Sequence, residues 1–220
     1  MEKRYVSKKR LLVSFVIATI VFIIVLIISY SLSYLEFQRV ATLQGHVAYG
    51  IFEDKLDYNL FGKESCSQES FQKVSDDLHF QGRIIDDLEK KLGKNDKNVL
   101  LRKQFYTLIE LEHFEFVNFL NENCNSDIGT ILFFYSNENN EVGNSEDVGK
   151  LLSFVHSKVT ENGNNLIIYS FDINLDSALM SKLKEKYGIE NSPTLVVDGE
   201  YKIFDPKNPE DIEKYLDLNK

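Results

Sequence analysis

Residues 11–35, LLVSFVIATIVFIIVLIISYSLSYL, contain no charged side chain. A run of this length and polarity has few options in water, and about 20 apolar residues suffice for a helix to cross a bilayer. The ten residues before it, MEKRYVSKKR, hold five Lys/Arg against one Glu, a local charge of +4. The whole chain is −9 at pH 7, so everything after residue 10 carries −13. Basic residues on the near side, and Tyr30 and Tyr34 at the far end, are the pattern of a single-pass helix with a cytoplasmic N-terminus. The alternative is a cleaved signal peptide ending near Ser31-Leu32-Ser33, but its apolar core would be far longer than the usual ~7–15 residues. The expected location is therefore a cell membrane, with the acidic body outside the cytoplasm and the bilayer engaged through residues 11–35. An acidic body excludes nucleic acid as a partner, because phosphates require a basic footprint.

Outside the cytoplasm disulfides persist, and the chain holds two cysteines, Cys66 and Cys124. Neither belongs to a CxxC, and the spacing is too wide for a clustered metal site. His46, His79, His113 and His156 are scattered and read as solvated or capped side chains. Neither metal nor cofactor is called for.

Residues 36–126 read as a helical stalk. Phe37, Val40, Leu43, Val47 and Ile51 form a helical stripe over 36–63, interrupted by Gly45, Gly50 and Gly62. Over 67–92, Phe71, Val74, Leu78, Ile85, Leu88 and Leu92 recur by threes and fours with Gln81 in the missing slot, a coiled-coil spacing. Gly93 ends this helix, Asp96 caps the next, and the second helix runs over about 97–123. Its expected apolar face is Leu101, Phe105, Leu108, Ile109, Phe116, Phe119 and Leu120. Helices joined by a short turn pack antiparallel. From residue 94, Cys66 lies 28 positions back and Cys124 lies 30 forward, so the hairpin brings both to its open end. A structural disulfide is expected, with a redox-active pair as the alternative. The hairpin's long apolar faces also allow a homodimer.

From residue 129 the periodicity changes. GTILFFYS reads as a strand, and SEDVGKLLSFVHSKVTEN as a helix capped by Ser145 with Val148, Leu151, Leu152 and Val155 inward. NNLIIYSFDI is a second strand, and DSALMSKLKEKYG a helix capped by Asp176 and closed by Gly188. Pro193 then opens the strand TLVV, an Asp-Gly turn joins it to EYKIF, and a last helix begins at NPEDIEKYL with Pro209 in its first turn. Pro193 cannot donate to a ladder, so it stands at a strand start or special turn, and Ser192–Pro193 is a place where a cis bond is plausible, with an ordinary trans proline as the alternative. The order β-α-β-α-β-β-α implies an α/β fold with a parallel strand pair, right-handed crossovers and a mixed four-stranded sheet with flanking helices.

The stretch FDINLDSALMSKLKEKYGIENSPTLVVDGE, with its acidic strand end, Tyr-Gly-Ile helix end and Ser-Pro-Thr, resembles the thioredoxin-like fold over roughly residues 129–218. The whole layout of anchor, helical hairpin with one cysteine per arm, Tyr-Ser-Asn and α/β segment also resembles small membrane-anchored thioredoxin-like proteins of prokaryotes, archaea in particular. The resemblance implies that Pro193 is a cis proline facing a Cys-x-x-Cys at the start of a helix. This chain departs there: with a helix starting near Ser145, Val142-Gly143-Asn144-Ser145 stands in the motif's place and holds no thiol. A serine without a nearby base is no substitute. The resemblance further implies a peptide groove at Ser192, Pro193 and Thr194, with Asn144 and Ser145 opposite. The expected function is a tethered, redox-silent, protein- or peptide-binding or scaffold module without catalytic residues. The alternatives are a thiol–disulfide oxidoreductase acting through Cys66/Cys124 or a partner's thiols, and a purely structural cap on a dimerising hairpin.

Overall fold

The computed structural model describes residues 8–61, 66, 68–138 and 142–216. The chain divides between Leu43 and Gln44 into two compact units. Helix α1 (Lys8–Phe61) begins in the first and ends in the second. It is the one described helix long and apolar enough to cross a membrane, with mean hydropathy 3.4 in its most apolar window and none of that window buried. The side chains from Leu11 to Leu35 therefore stand where a soluble fold would not leave them.

The second unit is an α/β assembly. Its elements are the end of α1, α2 (Gln68–Leu92), α3 (Lys97–Cys124), β1 (Ile128–Tyr135), α4 (Val142–Glu161), β2 (Asn165–Asp172), α5 (Ala178–Tyr187), β3 (Thr194–Val197), β4 (Tyr201–Phe204) and the single turn α6 (Glu210–Glu213). The sheet order is β2-β1-β3-β4. β1 runs parallel to β2, pairing Ile128 with Asn165 through Tyr135 with Asp172. β3 is antiparallel to both β1 and β4. The β3–β4 hairpin turns through Asp198, Gly199 and Glu200, with Asp198 and Gly199 at positive φ (48° and 72°) and the Glu200 N–H donating to the Val197 carbonyl at 3.0 Å. Asp198 also reaches back, its Oδ1 accepting from the Thr130 N–H at 2.7 Å, which ties the turn to the central strand.

Alternation along β1 feeds two cores. Leu132 and Phe134 point to one face, where they join Ile109, Val117, Phe171, Met180 and the α1 and α2 residues Val47, Ile51, Val74 and Leu78. Ile131 and Phe133 point to the other, against Val148, Leu152, Val155, Ile212 and Leu216 of α4 and the C-terminal turn. The helices before residue 126 thus share a core with the sheet. The sequence places a stalk there; the packing makes residues from Gln44 onwards one layer of the α/β unit. Gln44 is itself buried and pairs with α3, giving its Nε2 to the Arg102 carbonyl at 3.1 Å and accepting from Arg102 Nη1 at 3.3 Å.

The α2–α3 hairpin has the expected punctuation. Gly93 ends α2 at φ +93°, and Asp96 caps α3 by accepting from the N–H groups of Asn98 and Val99. Gly188 closes α5 at φ +62°. Two caps differ from expectation. α4 starts at Val142, three residues earlier, so Ser145 lies inside its first turn. α5 starts at Ala178, with Ser177 rather than Asp176 at the cap position. Ser145 is drawn in because its Oγ accepts the Ser136 N–H at 3.2 Å, tying the first turn of α4 to the end of β1.

The expected Cys66–Cys124 disulfide is present, with Cα atoms 5.9 Å apart and a sequence separation of 58. Closing a loop of that length removes about 4 kcal/mol of unfolded-chain entropy. Replacing Cys66 by Ser should therefore lower the unfolding midpoint while leaving the circular dichroism of the folded state unchanged. An unaltered midpoint in thermal or denaturant melts would show that the bond does not contribute to stability.

Candidate functional site

The face that α3 turns inward matches the apolar stripe that its spacing suggests only in part: Ile109, Phe116 and Leu120 are buried. Leu101, Phe105 and Leu108 are 57%, 40% and 46% exposed, whereas Lys103, Thr107, Glu110 and His113 are buried among Val99, Ile109, Phe114 and Val117. A run of polar residues at helical spacing ordinarily marks the solvent side. Here Lys103, Glu110 and His113 each meet a partner inside.

Lys103 is the first. Its Nζ lies 2.6 Å from Glu89 Oε1 on α2 and 2.6 Å from Asp172 Oδ2 at the end of β2, and 5.2 Å from the centre of the Tyr135 ring. Burial opposes the ammonium charge, but Tyr135, Asp172 and Glu89 outweigh it and hold its pKa above the ordinary value. Asp172 Oδ2 also accepts from Asn137 Nδ2 at 2.7 Å, and Oδ1 accepts from the Asn174 N–H at 3.0 Å. Asn174 in turn accepts from Ser136 Oγ and the Asn137 N–H. The carboxyl ends of β1 and β2, the loop towards α4 and the α2–α3 hairpin are thereby joined in one polar network.

Glu110 and His113 continue it about two and three turns on from Lys103. Glu110 Oε1 accepts the Ser170 N–H at 2.8 Å. The Tyr106 hydroxyl lies beside the same carboxyl but is directed to the Leu78 carbonyl at 3.3 Å, leaving Oε2 buried without a donor. Burial pushes the Glu110 carboxyl well above its ordinary range, against the opposing pull of Ser170, Tyr106 and Lys103. As a neutral acid, Oε2–H can donate to the Tyr106 oxygen and the orphan disappears. His113, read from sequence as a solvated or capped side chain, is fully buried. Its Nδ1 lies 2.8 Å from the Tyr169 hydroxyl and its Nε2 3.1 Å from Ser75 Oγ. A neutral imidazole donates through one nitrogen and accepts at the other, which suits two hydroxyls. Burial lowers its pKa to about 4.

Above this network lies a cleft of about 1010 Å³ between α2 and α4, floored by β2 and by Lys103, Thr107 and Glu110 of α3. Ser136, Asn137 and Ser145 line one end, so part of the sequence-derived site belongs to it. Asn144 is exposed in the first turn of α4; the side chains of Val142 and Gly143 lie outside the described residues. Ser192, Pro193 and Thr194 are placed elsewhere and do not line the cleft. The Ser192–Pro193 bond is cis, all three residues are buried, and the Pro193 carbonyl accepts the Asp205 N–H at 2.9 Å. Thr194 Oγ1 donates to the Asn191 carbonyl at 2.7 Å. Among the described residues no group of three or more His, Cys, Asp or Glu forms a metal site.

Two predictions follow from the signs of the shifts. The His113 pKa is depressed, so its contribution to stability is present above the ordinary 6.5 and is lost as pH falls towards about 4. The loss amounts to about 3 kcal/mol. His113→Gln should flatten the fall in denaturant stability between pH 6.5 and 4; an unchanged slope would assign it to other groups. The Glu110 pKa is raised, so its contribution is full below the ordinary 4.5 and erodes as pH rises. Glu110→Gln should therefore gain stability at pH 8 relative to wild type and none at pH 4. Lys103→Met, which strands Glu89 and Asp172, should cost about 3–5 kcal/mol, and the added changes Glu89→Gln and Asp172→Asn should recover much of it.

No protein-family model matches the chain, and comparison with curated proteins and with solved structures finds no match.

Proposed function

We propose that this protein is a membrane-tethered, extracytoplasmic, redox-silent module of thioredoxin-like type that binds polypeptide rather than exchanging its disulfides. The single observation that carries the reading is where the sulfur sits. Both cysteines are joined to each other across the helical hairpin, and the first turn of α4, Val142–Ser145, holds none. A thiolate at a helix N-terminus is what makes such a position reactive. Ser145 instead gives its oxygen to the Ser136 N–H, a structural use that leaves no activated nucleophile.

The sheet order, the parallel β1–β2 pair and the cis Ser192–Pro193 bond support the thioredoxin-like part of the reading. The uncharged stretch 11–35 of α1 and the basic residues before it support the tether and its orientation. The cleft beside β2 supports binding: it is large enough for a ligand segment and is lined by main chain as well as side chains.

The reading is tested with the full chain in lipid nanodiscs. Disulfide reduction in an insulin-turbidity assay should not exceed the rate with dithiothreitol alone, and alkylation without reductant should label neither Cys66 nor Cys124. Turnover above that background would make the protein an oxidoreductase.

A further inference from the structure

The outer face of α3 leaves apolar side chains in the open. Leu101, Phe105 and Leu108 recur at helical spacing and are 57%, 40% and 46% exposed, and Leu179 on α5 adds a fourth at 38%. Between α3 and α5 runs a groove of about 490 Å³, with Leu108, Leu111, Leu179 and Leu183 as its apolar floor. An apolar patch rimmed by charged residues is the usual mark of an interaction surface.

The rim is divided by sign. Glu112 and Glu115 stand on the α3 wall, and Lys182 and Lys186 on the α5 wall. Glu115, Lys182 and Lys186 are exposed, and among the described residues none of these three belongs to an ion pair. The two helices run alongside in the same direction. Gln104 Nε2 on α3 donates to the Asp176 carbonyl just before α5 at 3.2 Å, which sets Leu108 and Leu179 at matching heights. Glu115 follows Leu108 by seven residues and Lys186 follows Leu179 by seven, about 10.5 Å along each helix. Acid and base therefore face each other at one level across the groove.

This arrangement selects the occupant. A bilayer surface or a segment of single charge sign loses at one wall what it gains at the other. A second copy of the same groove does not. Turned about a two-fold axis along the groove, it keeps every height and exchanges the walls, so its basic wall meets the acidic one and its acidic wall the basic one. The apolar floors close on each other between four helices. A two-fold axis across the groove would instead lay α3 on α3 and offer the acids no bases.

We propose that α3 and α5 form a two-fold interface with a second copy of this chain, each α3 lying parallel to the partner's α5 and each Glu115 against the partner's Lys186. The contact lies on a different face from the cleft beside β2 and is independent of the redox-silent reading.

The test uses the full chain in lipid vesicles, with donor and acceptor fluorophores on two separately labelled populations. Energy transfer should rise and saturate with surface density, and Leu108→Glu should weaken the association by at least about tenfold. Glu115→Lys and Lys186→Glu should each weaken it by at least about fivefold, because either change sets like charges together twice in the pair. Mixed with each other, E115K and K186E should associate as wild type does, since every contact between the two chains again joins opposite charges. The substituted side chains are exposed, so all three variants should keep the wild-type circular dichroism. On non-reducing gels, chains carrying Glu115→Cys should cross-link to chains carrying Lys186→Cys, and neither should cross-link to itself. A mixture of E115K and K186E that associates no better than either alone overturns the proposal. Energy transfer unaltered by L108E also overturns it and assigns the contact to α1. Glu115→Cys cross-linked to itself overturns the parallel pairing in favour of α3 on α3. Absence of transfer at every density overturns the dimer, and an apolar surrounding then reported by a polarity-sensitive fluorophore on Leu101→Cys would give the face to the bilayer.

Discussion

The Lys103 ammonium is the point at which four elements of the second unit become one body. It rises from α3, meets Glu89 on α2 and Asp172 on β2, and lies over Tyr135 of β1. Desolvating a lysine and two carboxylates is expensive, and such a triad contributes little net stability over a well-packed apolar substitute. Its effect is on geometry. Apolar faces of helices slide against a sheet at small cost, whereas a buried cation has one acceptable position between its two anions. The hairpin is registered on the sheet by that requirement.

The same face of α3 carries two ionisable groups that are both held neutral by burial, in opposite senses. Glu110 keeps a proton that an exposed glutamate would lose, and His113 refuses one that an exposed histidine would accept. Acid is unfavourable through His113 and alkali through Glu110, so stability from this region peaks between the two limits. Their partners, the Ser170 amide and the Tyr169 hydroxyl, are adjacent on β2. The protonation states of α3 are thus coupled to the strand that floors the cleft.

The parts of the fold legible in the sequence are those set by local chemistry. Asp96, Gly93, Gly188 and the Asp198-Gly199 turn act through their own backbone conformations, and each stands where its residue type places it. The Cys66–Cys124 pair was legible because counting from one turn is enough to bring the arms of a hairpin together. The orientation of α3 was legible only in its second half, where Ile109, Phe116 and Leu120 are buried as expected. Leu101, Phe105 and Leu108 make a better apolar stripe than Lys103, Thr107 and Glu110, and periodicity has no means of recognising that a polar residue has an internal partner 14 to 69 positions away. The start of α4 was missed for a related reason. Ser145 resembles a cap, and only the Ser136 amide across the loop shows that it is instead an internal tie. Sharing of one core between hairpin and sheet was invisible as well, because a stripe such as Val47, Ile51, Val74 and Leu78 does not state what it packs against.

Sulfur and polarity are divided between the two halves of this unit. The one covalent cross-link closes the helical hairpin at Cys66 and Cys124, at the ends remote in sequence from the Gly93–Asp96 turn. The polar network lies along α3 and at the carboxyl ends of β1 and β2, where Asp172, Asn137 and Asn174 hold the loop that leads to α4. A disulfide constrains the unfolded chain more than it shapes the folded one, so it secures the hairpin without dictating how the hairpin sits on the sheet. Lys103 does the reverse: it shapes the folded state and does nothing for the unfolded chain. With stability and registration supplied by different groups, the loop before α4 is free of sulfur chemistry, and β2, paired with β1 along its whole length, has no second neighbouring strand among the described residues. An outer strand packed on both faces, with its free edge met by the side chains of Glu110 and His156 rather than by a further strand, distinguishes this molecule's surface from a closed α/β layer.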